Sequence, residues 1–305
     1  MRKTFVRALV ELAEKDDRIL LLTGDLGYTV IEPFAERFPR RFFNVGVAEQ
    51  NMIGVATGLA ESGLIPFVYS IATFVTMRAF EFIRNGPLAH GLPVRIIGVG
   101  GGFEYAHAGF THYGLDDIGV LRTQPNLTII APADHEQAAS ALRATWQDGG
   151  PIYYRLGRDD ANTVPGLQGR FDRGRAQRLK EGSDILLIAM GAIAQQAEEA
   201  VSQLDDRGIK AGFLIVDTVN PPPAEQLRQA LREVPIAVTV EAHYLVGGLG
   251  SLVSEIVAED GMPCRVVRCG VRTMPLGRVG SEAYMAGRHG LSTQAIVESA
   301  LRALS

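Results

Sequence analysis

Glu49 is the acid best placed to do chemistry. It lies within FFNVGVAEQNMIGVATGLAESG, Phe42 to Gly63, whose first half is short, apolar and β-prone. The second half reads as a helix beginning at Ala48 or Glu49. In an open α/β sheet such a strand-to-helix junction falls at the carboxyl edge of the strands, where ligands bind. The position also suits a structural carboxylate, because the helix dipole and unpaired N–H groups favour negative charge in a first turn. Position alone leaves both readings open. Gly54 and Gly58 are spaced to share one helical face, so another backbone can approach closely there.

The second stretch with chemical content is GGGFEYAHAGFTHYG, from Gly100 to Gly114. It follows an apolar strand and carries His107 and His112 among Phe103, Tyr105, Phe110 and Tyr113. Long loops at strand ends are usually functional or disordered, and the aromatics argue against disorder. A lone histidine is more often structural, but a pair at a sheet edge is a candidate proton shuttle. Neither has a third ligand at recognisable spacing, so a zinc site is not expected. No G-x-G-x-x-G, Walker-type loop or serine nucleophile elbow is present. Gly247–Gly250 (GGLG) reads as tight packing or as an anion-binding helix start.

Both stretches need a sheet to position them. A helix over MRKTFVRALVELAEK precedes a buried strand, Arg18–Thr23, and a short helix follows around Ile31–Phe38. Leu64–Tyr69, Val94–Val99, Leu127–Ile130 and Ile152–Arg155 supply further strands. Helices are expected over Phe74–Ala89 and Asp134–Gln147. Short apolar runs alternating with helical segments predict a parallel sheet covered on both faces. From about Leu156 the pattern lapses into Gly, Pro and charge. It restarts with strands at Asp184–Ala189, Ala211–Val216, Ala237–Val240 and Arg265–Arg268, the last of the series. The expectation is therefore an α/β protein of two parallel or mixed-sheet domains, residues 1–165 and 181–305, with a linker over 166–180.

Composition narrows the class. The 305 residues are 47% hydrophobic and 21% charged, with 34 glycines and a net charge of −4. Nothing in that balance marks a nucleic-acid or membrane surface. No apolar run reaches the ~20 residues of a membrane span. Charges interrupt the N-terminal segment, so it does not read as a signal peptide. Cys264 and Cys269 have an odd spacing in an expected strand, which sends them to opposite faces and away from a disulfide. A cytoplasmic location is expected.

The runs VGVAEQNMIGVATGLA, YSIATF, GFTH, PNLTIIAPAD and PIYYRLGR, in that order, resemble thiamine-diphosphate enzymes of the transketolase family across essentially the whole chain. The order matches their pyrimidine-binding and C-terminal domains. The family's diphosphate-binding domain carries a G-D-G motif and a later Asn that hold Mg²⁺ and the diphosphate. Gly24-Asp25-Leu26 is not that motif. The resemblance therefore implies the separately encoded second half of a split transketolase. It would be active with an N-terminal diphosphate-binding partner, as an α₂β₂ heterotetramer or, alone, a homodimer.

Residue by residue, the resemblance implies that Glu49 hydrogen-bonds N1′ of the cofactor's aminopyrimidine and so activates it. A carboxylate screened from water suits that task. Phe74 matches the aromatic that packs on the ring, and Met77 stands where many relatives carry another. Asp25 is a further cofactor-contact candidate. His112 matches a loop histidine that contacts substrate oxygen, with His107 as a second substrate candidate. Arg158 and Arg2 match arginines that grip sugar phosphate. The family's donor-sugar Asp is Ala108 here, and its second histidine corresponds to Gly100. These departures point away from an ordinary pentose phosphate and towards a modified or deoxy sugar. The implied reaction is transfer of a two-carbon ketol unit from ketose to aldose. The alternatives are a decarboxylative carboligase resembling deoxyxylulose-phosphate synthase, a 2-oxo acid dehydrogenase β-subunit, and a non-catalytic scaffold.

Overall fold

The computed structural model describes residues 1–305. Six strands of the first half, β1 (Ile19–Thr23), β2 (Phe42–Asn44), β3 (Ile65–Ile71), β4 (Arg95–Val99), β5 (Thr128–Ile130) and β6 (Ile152–Leu156), pair in parallel in the order β5-β6-β4-β3-β1-β2. β1, β3, β4 and β6 are buried at every position, as strands covered on both faces must be. Arg95 is fully buried in β4. Its guanidinium donates to the Trp146, Asp148 and Gly150 carbonyls, joining the end of the helix His135–Thr145 to the sheet.

The second half contributes β7 (Gln177–Lys180), β8 (Ile185–Met190), β9 (Ala211–Ile215), β10 (Thr218–Asn220), β11 (Ile236–Tyr244) and β12 (Arg265–Val271). Its sheet runs β12-β11-β8-β9-β7, parallel except for β7. The chain leaves β8 towards β9 on one side and returns to β11 on the other, so the strand order reverses at β8.

Four sequence expectations need correction. The end of the expected 166–180 linker is β7, because Gln177–Lys180 finds the free edge of β9 and pairs antiparallel to it. β10 was not expected. It crosses to the first sheet and pairs antiparallel with β5. The helix expected over Phe74–Ala89 is broken into a π-helical turn Phe74–Arg78, a helix Phe80–Ile83 and a second π turn around Pro87. Thr76 Oγ1 donates to the Ala72 carbonyl and Pro87 has no N–H, so neither end holds a regular α-helical ladder. Finally, two helices, Glu282–Arg288 and Thr293–Leu304, follow the last strand, each started by a serine side chain accepting a backbone N–H.

The halves share a core. One apolar cluster runs from Ile53 and Val68 of the first half to Ile188 and Leu252 of the second. Polar ties cross the same junction. Arg155, in a buried ion pair with Asp117, donates from Nη2 to the Ala242 carbonyl, His243 Nε2 accepts from Gly119 N–H, and Gln137 donates to Asp217. The Gly247–Gly250 stretch is tight packing around an internal anion. Leu249 and Gly250 N–H donate to the Glu241 carboxylate, and a Cβ on Gly248 would collide with it. Cys264 and Cys269 are buried free thiols in different apolar clusters.

Candidate active site

The side chains of Glu49, Phe74, Arg78, His112 and Arg158 come from segments that follow strands of the first sheet, at its carboxyl edge. Glu49 is the first residue of the helix Glu49–Glu61, which follows β2. Its carboxylate is 1% exposed. Oε1 accepts from Ser70 Oγ at 2.8 Å, and Oε2 accepts from Arg78 Nη1 at 2.9 Å. Gly24, at the end of β1, leaves room for Oε1, which would lie 3.3 Å from a Cβ there.

Arg78 links this acid to the rest. Its guanidinium lies 4.0 Å over the Phe74 ring, a geometry with cation–π attraction. Phe74 in turn meets His112 edge-on at 4.9 Å between ring centres. His112 faces Tyr105 at 6.3 Å, and Arg158 lies over Tyr105 at 4.3 Å. Glu49, Arg78, Phe74, His112, Tyr105 and Arg158 therefore form one continuous row. It runs along the sheet edge from β2 across β3 and β4 to β6. The π turn is what brings both Phe74 and Arg78 onto this row; such turns recur at functional sites.

The electrostatics of the row are set by burial and by Arg78. Partial burial, and secondly the Arg78 cation, push the His112 imidazole below its usual pKa, so it is neutral near pH 7. Its Nδ1 contacts Thr111 Oγ1 at 2.9 Å, leaving Nε2 free of that contact. Tyr105 is pushed up by desolvation. Behind the row, Glu104 is raised to about 8 by desolvation and then by Glu282.

The remaining candidates divide. Met77 is 44% exposed beside Phe74. Asp25 has a left-handed backbone, φ 60°. It accepts from Asn44 Nδ2 at 2.9 Å and Tyr28 Oη at 3.0 Å, and these bonds hold its carboxyl below the usual range. Arg158 Nη1 donates to the Glu104 carbonyl. Arg2 is turned to structural use, with Nε donating to the Arg158 carbonyl and Nη2 3.8 Å from Asp160. His107 is exposed in the short turn Ala106–Ala108, with no hydrogen bond from its ring, and the structure does not bring it into the row.

Two residues of the row carry no signal in the sequence. Arg78 belongs to no motif and is found by its position across from Glu49. Tyr105 explains Gly100. That glycine has φ 85°, and a Cβ on it would run into the Tyr105 ring. Tyr105 occupies the place that a side chain at position 100 would need.

The first half, residues 1–163, matches the transketolase pyrimidine-binding domain, and residues 174–296 match the transketolase C-terminal domain. The chain belongs to the transketolase family. Relatives include a putative transketolase C-terminal section of Methanocaldococcus jannaschii, 35% identical over 98% of this chain and 94% of that protein. The 6-deoxy-6-sulfo-D-fructose transketolase subunit SqwH of Clostridium sp. is 35% identical, covering 98% of this chain and 93% of its own. An apulose-4-phosphate transketolase subunit of Phocaeicola vulgatus is 35% identical over 87% of this chain and 86% of its own. Among solved structures, a split-gene transketolase described as an inactive β4 tetramer superposes on this transketolase chain with a TM-score of 0.90. It shares 35% identity and covers 99% of this chain and 97% of its own. The 1-deoxy-D-xylulose-5-phosphate synthase of Thermomicrobium roseum is 35% identical over 99% of this transketolase chain, which spans 48% of that enzyme.

The side chains present fit one end of thiamine diphosphate. A buried carboxylate, a half-buried Phe74 ring and the exposed Met77 bring an acid and apolar surface together as a flat, hydrogen-bonding heterocycle would need, with the Arg78 guanidinium covering Glu49 Oε2 and the Phe74 face in this structure. No group of three or more His, Cys, Asp or Glu side chains is arranged to hold a metal ion.

Proposed function

We propose that this chain is the second subunit of a split transketolase, which moves a two-carbon ketol unit between a ketose and an aldose. The observation that carries the reading is the buried Glu49 carboxylate joined, through Arg78 and Phe74, to a neutral histidine at a sheet's carboxyl edge. Bound thiamine diphosphate supplies the nucleophilic carbon and the electron sink. Glu49 holds a proton at the aminopyrimidine N1′, with Ser70 fixing its orientation. Phe74 and Met77 would lie against that ring, and Asp25 orders the β1 turn through its bonds to Asn44 and Tyr28. His112 takes or returns a proton at a substrate oxygen, a role its lowered pKa suits. Arg158 holds an anionic end of the sugar, with Arg2 bracing its backbone; His107, outside the row, is the second substrate candidate.

The diphosphate and its Mg²⁺ belong on an N-terminal partner in an α₂β₂ complex in the cytoplasm; the chain alone pairs as a homodimer. In support, Phe43, Val47, Val55 and Phe82 are exposed around the Glu49 helix, an apolar patch of the kind interfaces use. We take residues 1–165 as the pyrimidine-binding domain and 181–305, with β7 added at its start, as the C-terminal domain. Gly100 and Ala108 favour a modified sugar, in keeping with the substrates named for two relatives. The synthase relatives, equally identical, sustain a decarboxylative second reading.

The test is cofactor titration of the chain with and without a co-expressed diphosphate-domain partner. Saturable binding is expected with the partner, with ketose-dependent transfer that releases no CO₂. Glu49→Gln in that complex should stop proton exchange at the cofactor's C2. Undiminished exchange would overturn the role of Glu49, and pyruvate-dependent CO₂ release would overturn ketol transfer.

A further inference from the structure

A ligand can reach Glu49 only if something moves. The carboxyl is 1% exposed, although the proposed chemistry needs it in contact with a ring. Ser70, which bonds Oε1, is fully buried in β3, and Gly24 sets the end of β1 against the same oxygen. Neither can shift without disturbing the sheet. Arg78 is different. Its side chain is 45% exposed and meets Oε2 through a single hydrogen bond of 2.9 Å from Nη1. Nε and Nη2 make no hydrogen bond within the chain, so rotation of the side chain alone would uncover the acid.

The same guanidinium has the shape of what the site is proposed to take. It is flat, it lies 4.0 Å over the Phe74 ring, and it directs an N–H at Oε2. An aminopyrimidine carrying a proton at N1′ would make the same two contacts, one face on Phe74 and one ring N–H on Glu49. The guanidinium and the ring therefore compete for one acceptor and one aromatic face. A buried carboxylate left without either partner would be costly, so one of the two has to be in place.

We propose, on the split-transketolase reading of this site, that Arg78 is a gate: its guanidinium takes the aminopyrimidine's place on Glu49 and Phe74 and yields to the ring when the cofactor's other end is anchored on the partner subunit. The chain's affinity for the ring then depends on the fraction of time that Arg78 is turned away. With that fraction at ~0.1, the ring binds about tenfold more weakly than it would to an open site.

The probe is 4-amino-5-hydroxymethyl-2-methylpyrimidine, the cofactor's ring without its diphosphate. It is titrated into the full chain alone and followed by the NMR shifts of the Phe74 and His112 rings. Arg78→Met should bind it about tenfold tighter than the unaltered chain does. Arg78→Lys keeps a cation for Glu49 but has no flat face to lay on Phe74, and should fall between the two. Salt supplies a check that needs no variant. The ring is uncharged in mildly alkaline buffer, whereas a half-exposed ion pair is screened by salt. The unaltered chain should therefore bind it a few-fold tighter at about 0.5 M than at about 0.02 M salt, and Arg78→Met should not respond. If Arg78→Met does not fold, Arg78→Lys and the salt series decide. Binding by Arg78→Met that is equal or weaker, or an unaltered chain indifferent to salt, would overturn the gate while the bound ring upholds the reading of Glu49. Binding by none of the three proteins would overturn both.

Discussion

Arg78→Met would separate the two influences on His112. The cation that depresses the imidazole goes, while the Phe74 contact and the burial remain. The His112 pKa should rise towards its ordinary value, followed as an NMR titration of the ring proton. The acid limb of the reconstituted enzyme's pH profile should move up with it, since a base must be neutral to accept a proton. An unmoved titration would mean that Arg78 does not reach His112 in solution. At this scale the sequence is informative about Glu49, Phe74 and His112, because helix start, loop and family pattern each mark them. Arg78 and Tyr105 escape it because their meaning is a contact between separate loops, and neither periodicity nor spacing records that. Arg2 is a residue whose type suggests a ligand and whose surroundings use it as a brace.

Elements position these side chains, and the loop after β4 is the most tightly determined of them. Gly100 and Gly102 both have positive φ, and Gly102 hydrogen-bonds to Gly114 across the loop's base. Gly100→Ala is expected to cost ~2–4 kcal/mol, from a left-handed backbone and a collision with the Tyr105 ring. Adding Tyr105→Ala should return part of that loss, the coupling expected of touching residues; denaturant melts of the three variants measure both. A single-variant cost below ~1 kcal/mol would mean the loop has slack. Buried strands of the first sheet were legible because a parallel sheet covered on both faces needs continuous apolar runs. β7 and β10 were not, because edge strands of three or four residues carry too little pattern. The π turns were hidden inside a helical period, and the last helix, with Ile296, Val297 and Ala300 inward and Ser292 at its start, had a readable cap.

Across the whole molecule, the junction between the halves holds titratable groups that water does not reach. Burial raises Asp217 to about 7 and Glu241 to about 7, whereas it lowers His243 to about 4. A carboxyl with a raised native pKa binds its proton more tightly when folded, so its contribution is present at low pH and lost as pH climbs through 7. His243 works the other way but only below about 6.5, its ordinary value. Between pH 6.5 and 8 the carboxyls dominate, and urea midpoints should fall with rising pH. Asp217→Asn keeps an acceptor for Gln137 Nε2, can donate from its amide nitrogen to Thr218 Oγ1 in place of accepting from it, and should flatten the slope. An unchanged slope would remove Asp217 from the account.

β10 has a practical consequence. Its three residues are encoded after the second half has begun, yet their hydrogen bonds complete the first sheet at β5. A fragment ending near residue 170 would present β5 as a naked strand edge, with apolar neighbours stripped of Val219 and Ile188. Such edges invite other chains to add on, so separately expressed halves should precipitate, while the two mixed during refolding recover a dispersed complex. This inner seam is sewn through by β10 and does not tolerate a cut between the halves.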